Sequence, residues 1–299
     1  MHAENALRTQ RNRRSADGDS WTRAKNKKKG KTIMTEEARY NEHFSCINNA
    51  VEAIQENDTA SARKYAERAK ELFPDDFDTL RVRALVNHGQ DDVSLCLAYE
   101  EAVSAADNSI REKPETYSTI HDWYRSLSGR PYIRLLHAYA NSLVTCGRMK
   151  DAVAKYETII SLTHYDGYGD RYRLMGLYAL FENAEKAKKL LKKYKGCEGE
   201  GLFLHAALCF FKKGDYETAK EYLLEAYSYN KNIPKLFAKC HNRNFFDKME
   251  EIYAECCRTS YMMHSYEECV VHVMENIYAY NTAKPFFEWA VQILQRTGL

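Results

Sequence analysis

Five side chains between residues 256 and 272 could in principle ligate a metal ion: Cys256, Cys257, His264, Cys269 and His272. Thiolate and imidazole are the ligands that zinc prefers in proteins. The spacing argues against a zinc site, because no Cys-x-x-Cys occurs and adjacent Cys256 and Cys257 would point to different faces of a helix. Only Cys269 and His272 are three residues apart, as one helical face requires. We therefore predict core and surface positions for these residues and no metal ion.

Covalent catalysis would need a nucleophile beside a base and an oxyanion site. Such sites are often marked by Gly-rich turns that follow strands. The sequence has no Gly-x-Ser-x-Gly, no phosphate-binding loop and no alternating strand pattern. A helical enzyme whose site leaves no sequence motif stays open as an alternative, but we predict that the chain is not an enzyme and needs no cofactor.

The composition favours an all-helical chain. Its 299 residues include only 5 Pro and 13 Gly, and 29% of them are charged, while Ala, Glu, Lys, Leu and Tyr recur at helical spacing. The nine cysteines follow no regular framework, as is typical of free thiols in a reducing compartment. No segment approaches the ~18 apolar residues of a membrane span. We expect a soluble, cytoplasmic protein with no membrane partner.

Residues 1–33 carry ten Lys or Arg against three acidic residues, a local charge of +7 within a net charge of +2, so the remainder carries −5. With almost no branched apolar residues, this segment cannot offset its ordering entropy, and we predict a disordered basic tail. It could bind nucleic acid, act as a nuclear-import signal, or be an untranslated extension upstream of Met34. Nuclear localisation is expected only if the tail is present.

The helical pattern begins at Thr35, a predicted N-cap followed by two acidic residues. Phe44, Ile47, Val51 and Ile54 then follow the spacing of one helical face. A second helix is capped by Asp58-Thr59 and is stopped by Phe73-Pro74-Asp75-Asp76, because Pro cannot continue a helix. These signals predict two antiparallel helices joined by a short turn.

The same unit recurs along the chain. Ala152, Ala187 and Ala219 are equivalent positions, 35 and 32 residues apart, which brackets the ~34-residue period of tetratricopeptide repeats. Small residues on both helices of a pair, Ala140 with Ala152 and Ala207 with Ala219, would let the two helices cross closely. The alternative is a chance alignment of Ala-rich helices in an ordinary bundle.

These patterns predict an all-α fold, a right-handed α-solenoid of four to five tetratricopeptide-type helix pairs with a C-terminal helical cap. The predicted organisation is a basic tail at 1–33, a repeat array at 35–234 and a cap at 235–299. In the cap, Trp289, Ile293 and Leu294 are expected to bury against the preceding array.

Four segments carry a family resemblance: 130–156, which opens with Arg130-Pro131-Tyr132, Gly169-Asp170-Arg171-Tyr172, Asn232-Ile233-Pro234 and Pro285-Phe286-Phe287-Glu288-Trp289. Together they resemble soluble tetratricopeptide proteins related to the suppression-of-tumorigenicity-7 family, over roughly residues 130 to 291. The chain departs from the membrane-anchored members, which have N-terminal hydrophobic spans. The resemblance implies a repeat scaffold for protein interaction, with no catalytic residue to carry over.

In tetratricopeptide folds the first helix of each pair lines a concave groove. That arrangement points ten residues toward the groove: Arg81, His88, Arg134, His137, Asn141, Tyr172, Arg173, His205, Phe211 and Lys212. A basic and aromatic face of this kind would bind an extended peptide with acidic and aromatic residues. For each position the alternative is a solvated helix face or a core contact.

Part of this set resembles the clamp with which related proteins hold the terminal carboxylate of chaperones. Arg134, His137 and Asn141 match one element of that clamp, but Tyr172 and Gly176 interrupt it on the next first helix. We therefore predict a non-catalytic adaptor that binds a protein or peptide in its groove. The alternative function is nucleic-acid association through the basic tail.

Overall fold

The computed structural model describes residues 34–240 and 243–296, and all of the regular secondary structure in these ranges is helical. The predicted basic tail lies outside the described residues. Contacts divide the chain into two units, Met1–Arg39 and Tyr40–Leu299. In the described part of the first unit, Thr35 Oγ1 accepts a hydrogen bond from the Ala38 backbone N–H, as expected of the predicted N-cap. The helix packing described below is that of the second unit.

The helices follow one another with short connections. Their bounds are α1 Glu36–Gln55, α2 Thr59–Leu72, α3 Phe77–His88, α4 Asp92–Glu112, α5 Pro114–Tyr117, α6 Arg130–Thr145, α7 Met149–Leu162, α8 Asp170–Leu180, α9 Ala184–Lys193, α10 Gly199–Lys212, α11 Tyr216–Tyr229, α12 Ile233–Phe237, α13 Arg243–Arg258, α14 Tyr266–Glu275, α15 Ile277–Tyr280 and α16 Pro285–Arg296. Five helix pairs, from α1/α2 to α10/α11 with α5 inserted, form an α-solenoid and confirm the predicted fold class.

The turns inside the pairs share two features, each present in four of the five. A residue with left-handed backbone lies in the turn at Asn57 (φ 60°), Gly147 (φ 73°), Glu182 (φ 56°) and Gly214 (φ 80°), but not between α3 and α4. A short polar side chain accepts a hydrogen bond from the first turn of the second helix in every pair but α6/α7. The capping residues are Asp58, Asp91, Asn183 and Asp215, which bond to the backbone N–H of Ser61, Ser94, Lys186 and Thr218.

The close helix crossings occur at the alanines that the repeat pattern indicated. Ala140, Ala152, Ala207 and Ala219 have no exposed surface. Because a methyl group lies on each side of the crossing, the paired backbones approach each other, and fully buried Tyr156 fills the space beside the α6/α7 crossing. The sequence spacing of these alanines therefore indicates where the two helices of a pair pack against each other.

One insertion interrupts the regular period. The caps at Asp58 and Asp91 are 33 residues apart, whereas the next second helix begins only at Met149. Between the end of α4 and the start of α6, the chain forms α5 and a turn that contains Trp123. The Trp123 ring stacks on Tyr117, with ring centroids 5.7 Å apart, and packs against Tyr132 at 5.3 Å. The Trp123 backbone N–H also donates to the Leu162 carbonyl. The insertion is thus anchored to the core rather than looped out.

The helices after residue 235 contact two different parts of the array. Helix α16 does pack against α11 and α12, and the Trp289 ring lies 5.0 Å from Phe211. Helices α14 and α15, however, lie against α8 and α10, on the side expected to be an open groove. A Cβ built on Gly176 would come within 1.9 Å of Asn276 Oδ1, and one on Gly201 within 2.6 Å of the His272 ring. The division into array and cap at residue 234 stays a prediction.

We expect Gly176→Ala to destabilise the protein by about 1–3 kcal/mol, because the added methyl overlaps Asn276. The direction of this change in the free energy of unfolding is opposite to the usual one, because in a helix interior Gly→Ala normally stabilises by about 1 kcal/mol. Urea unfolding followed by circular dichroism measures the change.

The matched control is the same substitution in an Asn276→Ala background. Removing the Asn276 side chain makes room for the methyl, so Gly176→Ala should become neutral or stabilising there. An equal loss of stability in both backgrounds would contradict the docking of α15 on α8.

Candidate interaction surface

A buried carboxylate at the start of α3 organises the first part of the predicted groove. Asp78 is 6% exposed and accepts hydrogen bonds from Arg81 Nε at 3.2 Å and from Arg134 Nε at 2.8 Å, and the Arg134 guanidinium makes a second bond through Nη2. Burial by itself would raise the pKa of Asp78, but the hydrogen bonds and charges of the two arginines outweigh it and lower the pKa. Helices α3 and α6 are thereby joined through an ion pair.

The next link joins α6 to α8. His137 Nδ1 lies 2.6 Å from Asp170 Oδ1, and Asn141 Nδ2 lies 2.9 Å from His137 Nε2. With the amide donating to Nε2, the ring proton is on Nδ1 and faces the carboxylate. Tyr156 donates to Asn141 Oδ1 at 2.6 Å and so holds the amide in this orientation. His137 and Asn141 thus lie together in a chain of hydrogen bonds that runs from Asp170 to Tyr156.

Three of the predicted groove residues are covered by the chain's own C-terminal helices. Arg173 donates to the Glu275 carboxylate at 2.9 Å and to the Glu275 carbonyl at 3.2 Å. The Tyr172 ring packs against the His272 ring, with centroids 4.7 Å apart. His205, expected on an open surface, has no exposed area. The physical reason is that α14 and α15 bury apolar surface by lying on α8 and α10.

The hydrogen bonds around His205 define its protonation state. Asn276 Nδ2 lies 3.1 Å from the His272 carbonyl, which can only accept, and 3.0 Å from His205 Nε2. Nε2 must therefore accept, and Nδ1–H donates to the Tyr280 hydroxyl at 2.9 Å. Burial, with the charges of His272 and Arg173, lowers the pKa of His205 well below its usual value. His205 is a neutral interior residue.

The remaining three predicted residues lie apart from these links. Lys212 Nζ donates to the Ala179 and Leu180 carbonyls at 3.0 and 2.8 Å, at the C-terminal end of α8. Phe211 packs against Phe286 and Trp289. His88 is exposed and lines a separate cleft of about 270 Å³ between α3 and α4.

The charges of the predicted basic groove are therefore largely compensated within the chain. Asp78 pairs with Arg81 and Arg134, Asp170 pairs with His137, and Glu275 pairs with Arg173. Except for the pair of Asp78 with Arg81 on α3, each acidic partner is at least 33 residues away in the chain and lies on another helix, so helical spacing could not indicate it. The partly exposed group that stays together is Arg81, Arg134, His137 and Asn141, on α3 and α6.

An aromatic cluster, which the sequence analysis did not select, lies beside this group. The Tyr124 ring is 5.3 Å from both Tyr165 and Tyr168, and the Tyr168 ring is 5.1 Å from His137. Tyr165 is 53% exposed. The three tyrosines come from the insertion before α6 and from the turn before α8, where Gly167 lets the Tyr124 hydroxyl approach the backbone. The sequence signal that could have indicated this cluster is the pair of tyrosines in the Gly-containing turn between α7 and α8.

Arginines surround these rings. The Arg125 guanidinium lies 5.9 Å from the Tyr165 ring centroid and that of Arg130 lies 5.4 Å from Tyr124. Burial raises the pKa of Tyr168, and the positive charge of nearby Arg134 partly opposes that rise. We call the set Tyr124, Arg125, Arg134, His137, Tyr165 and Tyr168 the Tyr/Arg surface.

We expect Asp78→Asn to lower the free energy of unfolding by about 2–3 kcal/mol at pH 7, because two partly buried arginines lose their shared counter-ion. Chemical denaturation measures this loss. The matched control is Glu100→Gln, which removes a carboxylate from an exposed pair with Arg148 and should change stability little. Equal losses from both variants would contradict the role assigned to Asp78.

We also expect acid to destabilise the protein through its buried imidazoles. Burial, followed by the charges of Arg171 and Arg173, lowers the pKa of His272 to about 3, and that of His205 is lowered as well. The unfolded chain then binds protons that the native state excludes, so stability falls as pH drops below about 6.5, by up to about 1.4 kcal/mol per pH unit for each histidine.

The variant His205→Gln should show a smaller loss of stability between pH 7 and pH 5 than the wild type. Exposed His121→Gln is the control and should leave the pH dependence unchanged. Identical pH profiles for all three proteins would show that His205 does not titrate as its burial requires.

Comparison with known proteins yields little beyond this geometry. No family model matches the chain, and no curated protein matches it, so the resemblance to the suppression-of-tumorigenicity-7 family stays a prediction. Among solved structures, the chain is similar to YrrB, described as a TPR protein with an unusual peptide-binding site, at 16% identity and a TM-score of 0.42, over 66% of this chain and 92% of that one. In the described residues no helix is both long and apolar enough to cross a membrane.

Proposed function

We propose that the chain is a non-catalytic scaffold that binds a peptide or partner segment at the Tyr/Arg surface. The observation that carries the proposal is the placement of the 53% exposed Tyr165 ring in one continuous set of ring contacts that runs through Tyr124 and Tyr168 to His137. Tyr and Arg are the side chains that most often supply the binding energy of protein interfaces.

The surface is rigid before any partner arrives. Asp78 holds the Arg134 guanidinium through several hydrogen bonds, and Asp170 holds the His137 ring. Gly167 lets Tyr124 pack closely against the turn that carries Tyr165 and Tyr168. Because these side chains are already ordered, binding costs less conformational entropy than it would on a mobile loop.

Charge and shape favour an acidic and aromatic ligand. Arg125 and Arg130 flank the exposed rings in addition to Arg134, whereas residues 34–299 as a whole carry −5. A peptide carboxylate can approach the guanidinium groups, and an apolar or aromatic side chain can lie on the tyrosine rings. This retains the predicted ligand class but moves its site to the middle of the array, around α6 and the turn before α8.

The rest of the predicted groove is a less favourable site. Arg173 and His205 are already bonded to Glu275 and Asn276, so a ligand there would have to displace α14 and α15. Their replacement would also alter stability, and for this reason neither residue is suitable for a binding test.

The test is a selection from a displayed random peptide library on the full chain, followed by fluorescence-anisotropy titration of the selected peptides. We expect sequences enriched in acidic and aromatic residues. Tyr165→Ala and Arg125→Ala should each weaken binding at least about 10-fold, which corresponds to a loss of about 1.4 kcal/mol or more.

The control is Tyr216→Ala on α11, because Tyr216 is also 53% exposed and next to other rings but lies outside the Tyr/Arg surface. Its affinity should equal that of the wild type. Unchanged binding in Tyr165→Ala and Arg125→Ala would overturn the proposed site. If binding instead requires residues 1–33 and falls steeply with salt for an oligonucleotide ligand, the basic-tail alternative is favoured.

A further inference from the structure

A buried carboxylate at the start of α10 has no Lys or Arg partner among the described residues. Glu200 is 2% exposed, and its Oε2 atom has no hydrogen-bond partner among the described residues. Its other oxygen, Oε1, accepts only the weak S–H donor of Cys269 at 3.5 Å. Because an ionised carboxylate in the interior is costly unless a cation or strong donors compensate it, Glu200 needs an explanation.

Two further ligating side chains face Glu200 from the turn before α14. His264 Nδ1 lies 3.8 Å from Glu200 Oε2, and Glu268 accepts a hydrogen bond from the His264 backbone N–H. One ligand atom from each of Glu200, His264 and Glu268 lies within 4.8 Å of the other two. Two carboxylates and an imidazole thus converge without a Lys or Arg from the described residues.

The turn that carries His264 is held in an unusual conformation. His264 has φ 60°, a left-handed value that non-glycine residues seldom adopt. Asn230 Nδ2 donates to the Ser265 carbonyl at 2.7 Å, and the Ser265 side chain caps α14 by accepting from the Glu268 N–H at 3.1 Å. In this turn His264 Nδ1 lies 3.8 Å from Glu200 Oε2 while the side chain stays partly exposed to solvent.

We propose that Glu200, His264 and Glu268 form a binding site for a divalent transition-metal ion of the zinc class. Imidazole together with carboxylates favours zinc over calcium or magnesium, which prefer oxygen ligands alone. Three protein ligands leave the fourth tetrahedral position to water. The His264 side chain is 48% exposed, so an ion can enter from solvent on that side while the buried Glu200 closes the other.

The site would be structural and would join distant parts of the chain. Glu200 begins α10, whereas His264 and Glu268 precede and begin α14, the helix that lies on α8 and α10. Sequence spacing could not indicate it, because 64 residues separate Glu200 from His264. Of the five residues weighed as zinc ligands from the sequence, only His264 belongs to this cluster.

The experiment is a titration of the metal-free full chain with Zn²⁺ by calorimetry and with Co²⁺ by visible absorption, under reducing conditions. We expect one site with the absorption of tetrahedral Co²⁺ bound by nitrogen and oxygen. Glu200→Gln and His264→Asn should each weaken Zn²⁺ binding at least about 100-fold, since even residues that only orient a ligand contribute 10–100-fold.

The control is Glu267→Gln, an exposed neighbour of Glu268 outside the cluster, which should bind as the wild type does. Zn²⁺ should raise the thermal unfolding midpoint of the wild type and Glu267→Gln but not that of Glu200→Gln. Glu200→Gln should fold, because Gln is close to Glu in size and brings no charge into the interior, and Glu268→Gln provides a second test.

Three results would overturn the proposal. The first is a wild-type chain that binds no Zn²⁺. The second is equal binding by the wild type, Glu200→Gln and His264→Asn, which would place the ion elsewhere. The third is a Co²⁺ spectrum dominated by sulfur-to-metal charge transfer, which would assign the ion to the cysteines.

Discussion

The structure depends on polar side chains that join each first helix to the next element along one face. Asp78 on α3 bonds to Arg134 on α6, and His137 on α6 bonds to Asp170 on α8. A stack of amphipathic helices could slide along apolar contacts, which are not directional. Charged hydrogen bonds have defined lengths and angles, so these pairs set the register between neighbouring helix pairs.

The same principle explains how the C-terminal helices dock. On the side of α8 and α10 that was expected to be an open groove, Glu275 and Asn276 bond to Arg173 and His205. The two glycines on that face, Gly176 and Gly201, provide the space for close approach. The C-terminal helices therefore act as a continuation of the polar face and remove part of it from solvent.

This docking divides the predicted groove into two parts of different character. On α8 and α10 the polar residues are interior, paired and important for stability. On α3 and α6 they remain partly exposed, and the insertion before α6 adds Tyr124 and Arg125 beside them. The proposed binding site thus lies beside the place where the regular period of the repeat is interrupted: the insertion supplies Tyr124 and Arg125, and the turn before α8 supplies the exposed Tyr165 ring.

The amino-acid sequence by itself determined the helices, their caps and their pairing, since these follow from local spacing: small residues at Ala140, Ala152, Ala207 and Ala219 and capping groups at Asp58 and Asp215. It also indicated which residues lie on the first helices. It could not show that Glu275 and Asn276 cover α8, or that Glu200 meets His264. Those contacts join residues tens of positions apart, and only the path of the chain after residue 235 brings them together. Local periodicity encodes helix faces, whereas the tertiary structure decides which face stays open.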